Sequence, residues 1–352
     1  MLNTRTGENY NANDVINSND LRKRLINVDT RFRTNISDKC TDIQYRLDHT
    51  YRNVIKLRVA SVEIPNMFYV FSEAKKNTSF IVQTRDKDGI TRTLTVTIPD
   101  GNYSISDLVV LIQAQFDSGF KAPFGIFLTI TINVNNAKIT INHNGLAPYP
   151  VTSSTTLPSI GANPISFNFQ TFQFNTERNF NFGLGYNLGF RKKLYILDTP
   201  TSTSPFDTYS FTSEAVVDTV GDTYLFLQMN DLHTVEHRTS SNYAQYLAKI
   251  IIREDKTAII YDDGSSLMSN QIIFPSPIDL SVLNLKLVDA YGEVVDMNGT
   301  DFSFTLEITE VLNVKLYDFY RNYIWLGTIP TIPYKSAVGS SQALYRGGAS
   351  FM

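Results

Sequence analysis

The stretch DFSFTLEITEV (Asp301 to Val311) puts Phe302, Phe304, Leu306 and Ile308 on one parity and Ser303, Thr305, Glu307 and Thr309 on the other. Successive side chains of a strand point to opposite faces, so this spacing predicts a strand with one buried face rather than an amphipathic helix. The same period runs through much of the chain. In NVIKLRVASVEIPN, Ile55, Leu57 and Val59 alternate with Lys56 and Arg58, and Pro65 ends the run because proline cannot donate to a ladder. Val62 and Ile64 fall on the other parity, which predicts a bulge near Ala60 and Ser61. TYLFLQM, YLAKIIIRE and LSVLNLKLVD read as further strands, and the turns DAYG and DMNGTD offer Asp, Asn and Gly where positive φ is needed. Many short strands without α/β alternation predict a mainly all-β fold, a jelly-roll-like antiparallel sandwich with Greek-key connections.

One region departs from this rhythm. SFIVQTRDKDGITRTLTVTI reads as a hairpin turning at Asp88-Gly89. Beyond it Ser104 and Asp107 form a capping box, Ile105, Leu108, Val109, Ile112 and Phe116 share one helix face, and Gly119 is placed to end the helix. A second hairpin follows, with Leu128, Ile130, Ile132 and Val134 before Asn135-Asn136 and Ile139 and Ile141 after them. The expected organisation is a polar N-terminal arm over residues 1–24 and a jelly-roll-like body over 25–77 and 146–326. A β-β-α-β-β subdomain carrying one small sheet is inserted over 78–145, and an extended C-terminal arm occupies 327–352. The first arm is too polar to bury itself, and the second spaces apolar residues between prolines and glycines, so both read as segments that dock on neighbours. Candidate contact residues are Arg22, Arg24 and Phe32 on one side and Tyr334, Leu344, Tyr345 and Phe351 on the other.

Charge narrows the partners. Lys plus Arg number 31 against 34 acidic residues, a net charge of -3, which gives no global attraction to nucleic acid or anionic lipid. Charged residues are 18% of the chain, below the roughly 25% of an average soluble domain, so many copies can pack closely with little repulsion. The single cysteine, Cys40, excludes a disulfide framework and a multi-thiolate metal site, and its polar surroundings mark it as a bystander. No long uncharged apolar run offers a membrane helix, and no apolar signal core opens the chain, which fits a protein kept in a reducing compartment.

Two motifs invite a chemical reading. FNFGLGYNLGF (Phe180 to Phe190) places Gly183, Gly185 and Gly189 among aromatic residues, whereas a dinucleotide fingerprint needs G-x-G-x-x-G opening a helix. The third glycine is one residue late and the following FRKKLYIL is strand-like, so the glycines are read as a strand bend packed against Phe180, Phe182 and Phe190. HTVEH matches the H-x-x-E-H zinc pattern, with His233 and His237 as ligands, Glu236 as base and Glu307 or Glu310 as a third ligand. That chemistry needs a helix, and a strand precedes the motif, so a polar loop is preferred and a zinc metalloprotease is held as an alternative. A second alternative is a surface module that binds a receptor or glycan through Tyr149 or Tyr209. No catalytic, cofactor-binding or metal residue is assigned, and the chain is read as not an enzyme and as needing no cofactor.

Four segments carry a resemblance: LRVASVEIPNMFYVFS (Leu57 to Ser72), IPDGNY (Ile98 to Tyr103), LGYNLGFRK (Leu184 to Lys192) and LKLVDAYGEVVDMNGTDFSFTLEITEV (Leu285 to Val311). In this order they resemble the minor capsid proteins of nucleocytoplasmic large DNA viruses of the phycodnavirus, iridovirus and mimivirus type. The resemblance implies a jelly-roll virion protein beneath or between the capsomers of an icosahedral shell, assembled in the host cytoplasm. Its implied partners are the major capsid protein, other minor capsid proteins or an inner-membrane virion protein. The family brings no catalytic residues to carry over.

Overall fold

The computed structural model describes residues 20–86, 90–146, 165–169, 183–197, 201, 208–238, 243–264, 271–315 and 317–318. In chain order the strands begin with β1 (Leu21–Asp29), β2 (Asp42–Pro65), β3 (Ser79–Arg85), β4 (Thr91–Thr97), β5 (Ile126–Asn133), β6 (Lys138–Leu146), β7 (Ile165–Asn168) and β8 (Leu194–Leu197). They continue with β9 (Tyr209–Thr212), β10 (Tyr224–Met229), β11 (Val235–Arg238), β12 (Tyr243–Tyr246), β13 (Ala248–Ile251), β14 (Ile259–Asp262), β15 (Ile272–Val288) and β16 (Ser303–Val311). The α-helices are α1 (Ile105–Phe116), α2 (Ala122–Phe124) and α3 (Leu184–Asn187). Strands dominate, the pairings between them are antiparallel, and the fold is all-β in its framework and jelly-roll-like.

The largest sheet has the order β1-β16-β2-β15-β10-β13, with β14 also on β2. Strand β2 makes the sheet curl. Its first part, Asp42 to Leu57, pairs with β15, and its second part, Val54 to Glu63, carries β16 on the other edge. Two bulges help it bend: Ala60 is the extra residue where Thr305 faces Ser61 and Leu306 faces Val59, and Ile55 is the extra residue at Lys56 and Val54. The bulge expected from the parity change at Ala60 and Ser61 is therefore present. The curled sheet closes on a first core of Ile26, Val28, Leu57, Val59, Val62, Leu225, Leu285, Phe304, Leu306 and Ile308, among others. Of the arm expected over 1–24, Leu21 to Arg24 belong to β1, because Ile26 and Val28 draw the strand onto this core through nine-residue pairing with β16.

A second core is built from β3 to β9 and the helices. Phe71, Phe80, Val82, Leu108, Ile112, Phe116, Ile130, Ile141, Phe167, Phe169, Phe190 and Tyr209 meet there. Strands β7, β8 and β9 therefore pack with the inserted hairpins and not with the body, so the two cores do not divide at the 145/146 boundary read from sequence. Nor do the two hairpins share one small sheet. Strands β3 and β4 belong to a four-stranded sheet β4-β3-β7-β8, and β5 and β6 to a three-stranded sheet β5-β6-β9.

Helix α1 separates them. The Ser104 side chain accepts from the Asp107 N–H as the capping box requires, and Leu108, Ile112 and Phe116 are buried. Gly119 does not end the helical path: a π-helical turn, Asp117–Lys121, carries it into α2, and the left-handed Gly125 (φ 65) stops it. Two glutamines of α1 complete the neighbouring strand edges. Gln113 accepts from the Ile130 N–H at 2.9 Å and donates to Leu128 O at 3.0 Å, while Gln115 accepts from the Thr97 N–H at 2.8 Å and donates to Thr97 O. Each amide thus stands in for a missing strand and blocks an edge against foreign pairing. Gln113→Ala is expected to cost about 2 kcal/mol in urea unfolding, since it strands a backbone donor and acceptor at once.

Candidate functional site

The two cores are joined by chain crossing at residues 66–78 and again at 213–223, and the crossings lie against each other. Gly221 sits in the left-handed region (φ 77), where a Cβ would come within 3.0 Å of Val70. Val70 N–H donates to Asn102 Oδ1 at 2.8 Å, Phe71 and Gly101 exchange two backbone bonds, and Asn77 bonds Val70 O and the Ser72 N–H through its side chain. On the other crossing, the Asp218 N–H donates to Asn187 O at 2.7 Å.

A cavity of about 100 Å³ opens between these crossings, lined by Lys75, Tyr186, Asp218, Asp222, Asp289 and Tyr291 among others. Lys75 Nζ lies 3.3 Å from Asp222 Oδ2. Asp289 is 5% exposed, and its Oδ1 accepts from the Tyr291 and Glu293 N–H groups, which shapes the DAYG turn. Burial, with the Asp222 charge adding to it, pushes the Asp289 carboxyl up to about 6. Behind the cavity, Lys256 Nζ sits 4.0 Å over the Phe68 ring and donates to Asn66 Oδ1 and Phe68 O. Burial and then the nearby Lys75 pull the Lys256 ammonium down to about 8. The junction thus brings Lys75, Asp222, Asp289 and Lys256 together in poorly hydrated surroundings, a costly arrangement.

All four segments carrying the resemblance reach this junction. The first brings Val70, the second Asn102, the third Tyr186 and Asn187, and the fourth Asp289 and Tyr291. No family model matches the sequence, and no curated protein matches it. Among solved structures the chain is similar to the mavirus penton protein, at 13% identity and a TM-score of 0.38, over 82% of this chain and 98% of that one.

The remaining candidates resolve one by one. The glycine run is neither a phosphate loop nor a strand bend: Leu184 to Asn187 form a single helical turn, α3, capped by Gly183. A Cβ on Gly185 would overlap the Phe169 side chain, and one on Gly189 (φ 90) would overlap the Ala215 carbonyl. Phe190 stacks on Phe169 at 4.5 Å, while Phe180 and Phe182 lie outside the described residues. In the HTVEH motif, His233 and Thr234 lie in the loop before β11 and Val235 to His237 belong to β11, with His233 Nδ1 meeting Asp231 O and His237 Nε2 meeting Ala290 O. The motif therefore forms no helix whose one face would bring two histidines four apart together. Glu307 is held by Arg58 and Lys23, and Glu310 by Arg24. Among the described residues, no group of three His, Cys, Asp or Glu is placed to hold a metal.

Of the contact candidates, Arg22 is exposed on β1, whereas Arg24 turns inward, 2.7 Å from Glu310 and 5.8 Å from the Tyr51 ring. Phe32 follows β1 on a 3₁₀ turn and is 73% exposed. Tyr334, Leu344, Tyr345, Phe351 and Tyr149 lie outside the described residues. Tyr209 is buried at 1% exposure, so it is no surface platform. Cys40 donates to Thr300 O at 3.1 Å, and burial pushes its thiol up to about 11, which leaves it inert at neutral pH. Among the described residues, no helix is long and apolar enough to cross a membrane.

Proposed function

We propose that this chain is a structural minor capsid protein that cross-links major capsid capsomers on the inner face of an icosahedral large DNA virus shell, assembled in the host cytoplasm. The reading rests on the segmental resemblance, and one observation carries it from sequence to geometry. The resembling residues converge on the junction that fixes two β bodies to each other, which is where a scaffold must be specific. We take the two bodies as domains, residues 20–69 with 218–318 and residues 70–217.

The chain enters and leaves the first body at one corner. The Leu312 N–H donates to Asp20 O at 2.9 Å, and Tyr317 packs with Ile55, Val311 and Leu21 beside it. The two ends of the described residues therefore lie close together beside the outer edge of β1, a placement that suits a link between neighbours. Phe32, Tyr334, Leu344, Tyr345 and Phe351 are the proposed anchors, with Arg22 as a rim charge. Deleting residues 334–352 is expected to leave a soluble, folded body that is lost from particles, read by quantitative mass spectrometry of purified virions. Truncated protein at normal abundance in virions would sink the proposal.

A further inference from the structure

His143 lies in the middle of the three-stranded sheet, in β6, opposite Leu128 of β5 and Tyr209 of β9. It is 3% exposed, and neither Nδ1 nor Nε2 has a hydrogen-bond partner. Its ring meets Tyr209 edge-on at 5.8 Å, among the apolar residues Ile139, Ile141 and Leu128 of the second core. Tyr209 is the titratable side chain facing it from β9, and β5 presents Leu128 there. Among the described residues, no carboxylate compensates a charge on the ring, and burial lowers its proton affinity. An imidazole in this setting is tolerated only when neutral, since a buried cation without a partner carries a desolvation penalty of several kcal/mol.

From this geometry we propose that His143 is an acid switch: its protonation opens the seam between β6 and β9 and uncovers the aromatic cluster behind it. The seam is the weak place. Strand β9 pairs with β6 over four residues, reinforced by the Thr140–Thr212 hydroxyl contact at 2.8 Å and by Ser213 Oγ accepting from the Ile139 N–H. Behind it, Phe211 packs on Phe167 at 4.8 Å, on Phe190 at 5.2 Å and on Tyr195 at 5.3 Å. Release of β9 would present these rings as an apolar surface for a new contact. Burial holds the imidazole down at about 4 against an ordinary 6.5, so its stabilising effect is full above pH 6.5 and lost as pH falls toward 4. At pH 5 this corresponds to an opening equilibrium about 30-fold more favourable than at pH 7.5. The inference is independent of the capsid reading.

Hydrogen exchange on the full chain, corrected for intrinsic rates, tests it. Protection of the Ile141, His143, Tyr209 and Phe211 amides should drop about 30-fold between pH 7.5 and 5. In His143→Leu, which cannot take a proton, protection should stay flat, while the His49→Gln control should behave as wild type. Equal protection of the wild type at both pH values, or an equal drop in His143→Leu, overturns the proposal. Should His143→Leu fail to fold, the ring-proton NMR titration of wild-type His143 decides: a midpoint between 4 and 5 supports the switch, and one at 6 or above overturns it.

Discussion

Gly185→Val is expected to abolish folding of the second core, with a loss of more than about 4 kcal/mol, the range reached only by severe core disruption. Glycine is required here by space. The helical turn α3 lies against Phe169, and a Cβ at position 185 would overlap the ring and the Phe169 Cβ itself, so a change of rotamer cannot clear it. Phe169 cannot retreat either, because its ring stacks on Phe190 at 4.5 Å and meets Phe80 at 5.2 Å and Tyr195 at 5.6 Å. A packed interior resists such insertion. Soluble yield, near-ultraviolet circular dichroism and urea unfolding read the outcome. Gly299→Ala is the control: its φ is 76 but nothing lies within 4 Å, so only the backbone conformation is penalised, by about 1 to 2 kcal/mol. A Gly185→Val protein as stable as Gly299→Ala would refute the packing role, and partial rescue of Gly185→Ala by Phe169→Leu would identify the clash directly.

The strand beside Phe169 marks where sequence reading succeeds and where it stops. Ile165 and Phe167 sit on a period of two, the spacing of a strand with one buried face, and β7 is there with Phe169 just beyond its end. Which core that strand enters depends on its pairing with β3 and β8, long-range contacts that periodicity does not encode. Likewise β16 and the Ala60 bulge were legible because one buried face forces alternation and a bulge forces a parity change. The Ser104 cap was legible because its chemistry is local. Gly119 misled for the opposite reason: it serves tertiary space, since a Cβ there would press on Leu94 at 2.5 Å, while the true stop is the left-handed Gly125. Helix α3, four residues long, is too short to show a period.

The junction was less legible still. Asp289 and Gly292 were read as turn formers, which they are, with Gly292 at φ 84. Nothing local pointed to Asp222, Lys75 or Lys256, because three segments far apart in the sequence bring them together. His143 was masked by its polar sequence neighbours and is buried because β6 is the central strand of its sheet.

Asp289→Asn is expected to stabilise the protein at neutral pH by about 3 kcal/mol, an unusual sign for a buried polar substitution. The carboxyl is held up at about 6 against an ordinary 3.8 by burial and by Asp222. The folded state therefore keeps its proton more tightly than the unfolded chain does. That advantage is present below pH 4, shrinks as pH rises through 6, and at pH 7.5 leaves an ionised group that folding has stripped of water. Asparagine keeps the Oδ1 that accepts from the Tyr291 and Glu293 N–H groups, so the turn survives without the charge. Urea unfolding of both proteins from pH 7.5 to pH 4 reads the effect: the gap in their stabilities should close as pH falls and wild-type Asp289 takes its proton. A variant less stable than wild type at pH 7.5, or a gap independent of pH, would show that folding does not penalise the Asp289 charge. The wild-type profile carries a second, opposing slope from His143, whose stabilising effect vanishes over the range in which Asp289 gains. Removing Asp289 should therefore expose that slope, making the variant lose stability on acidification more steeply than the parent.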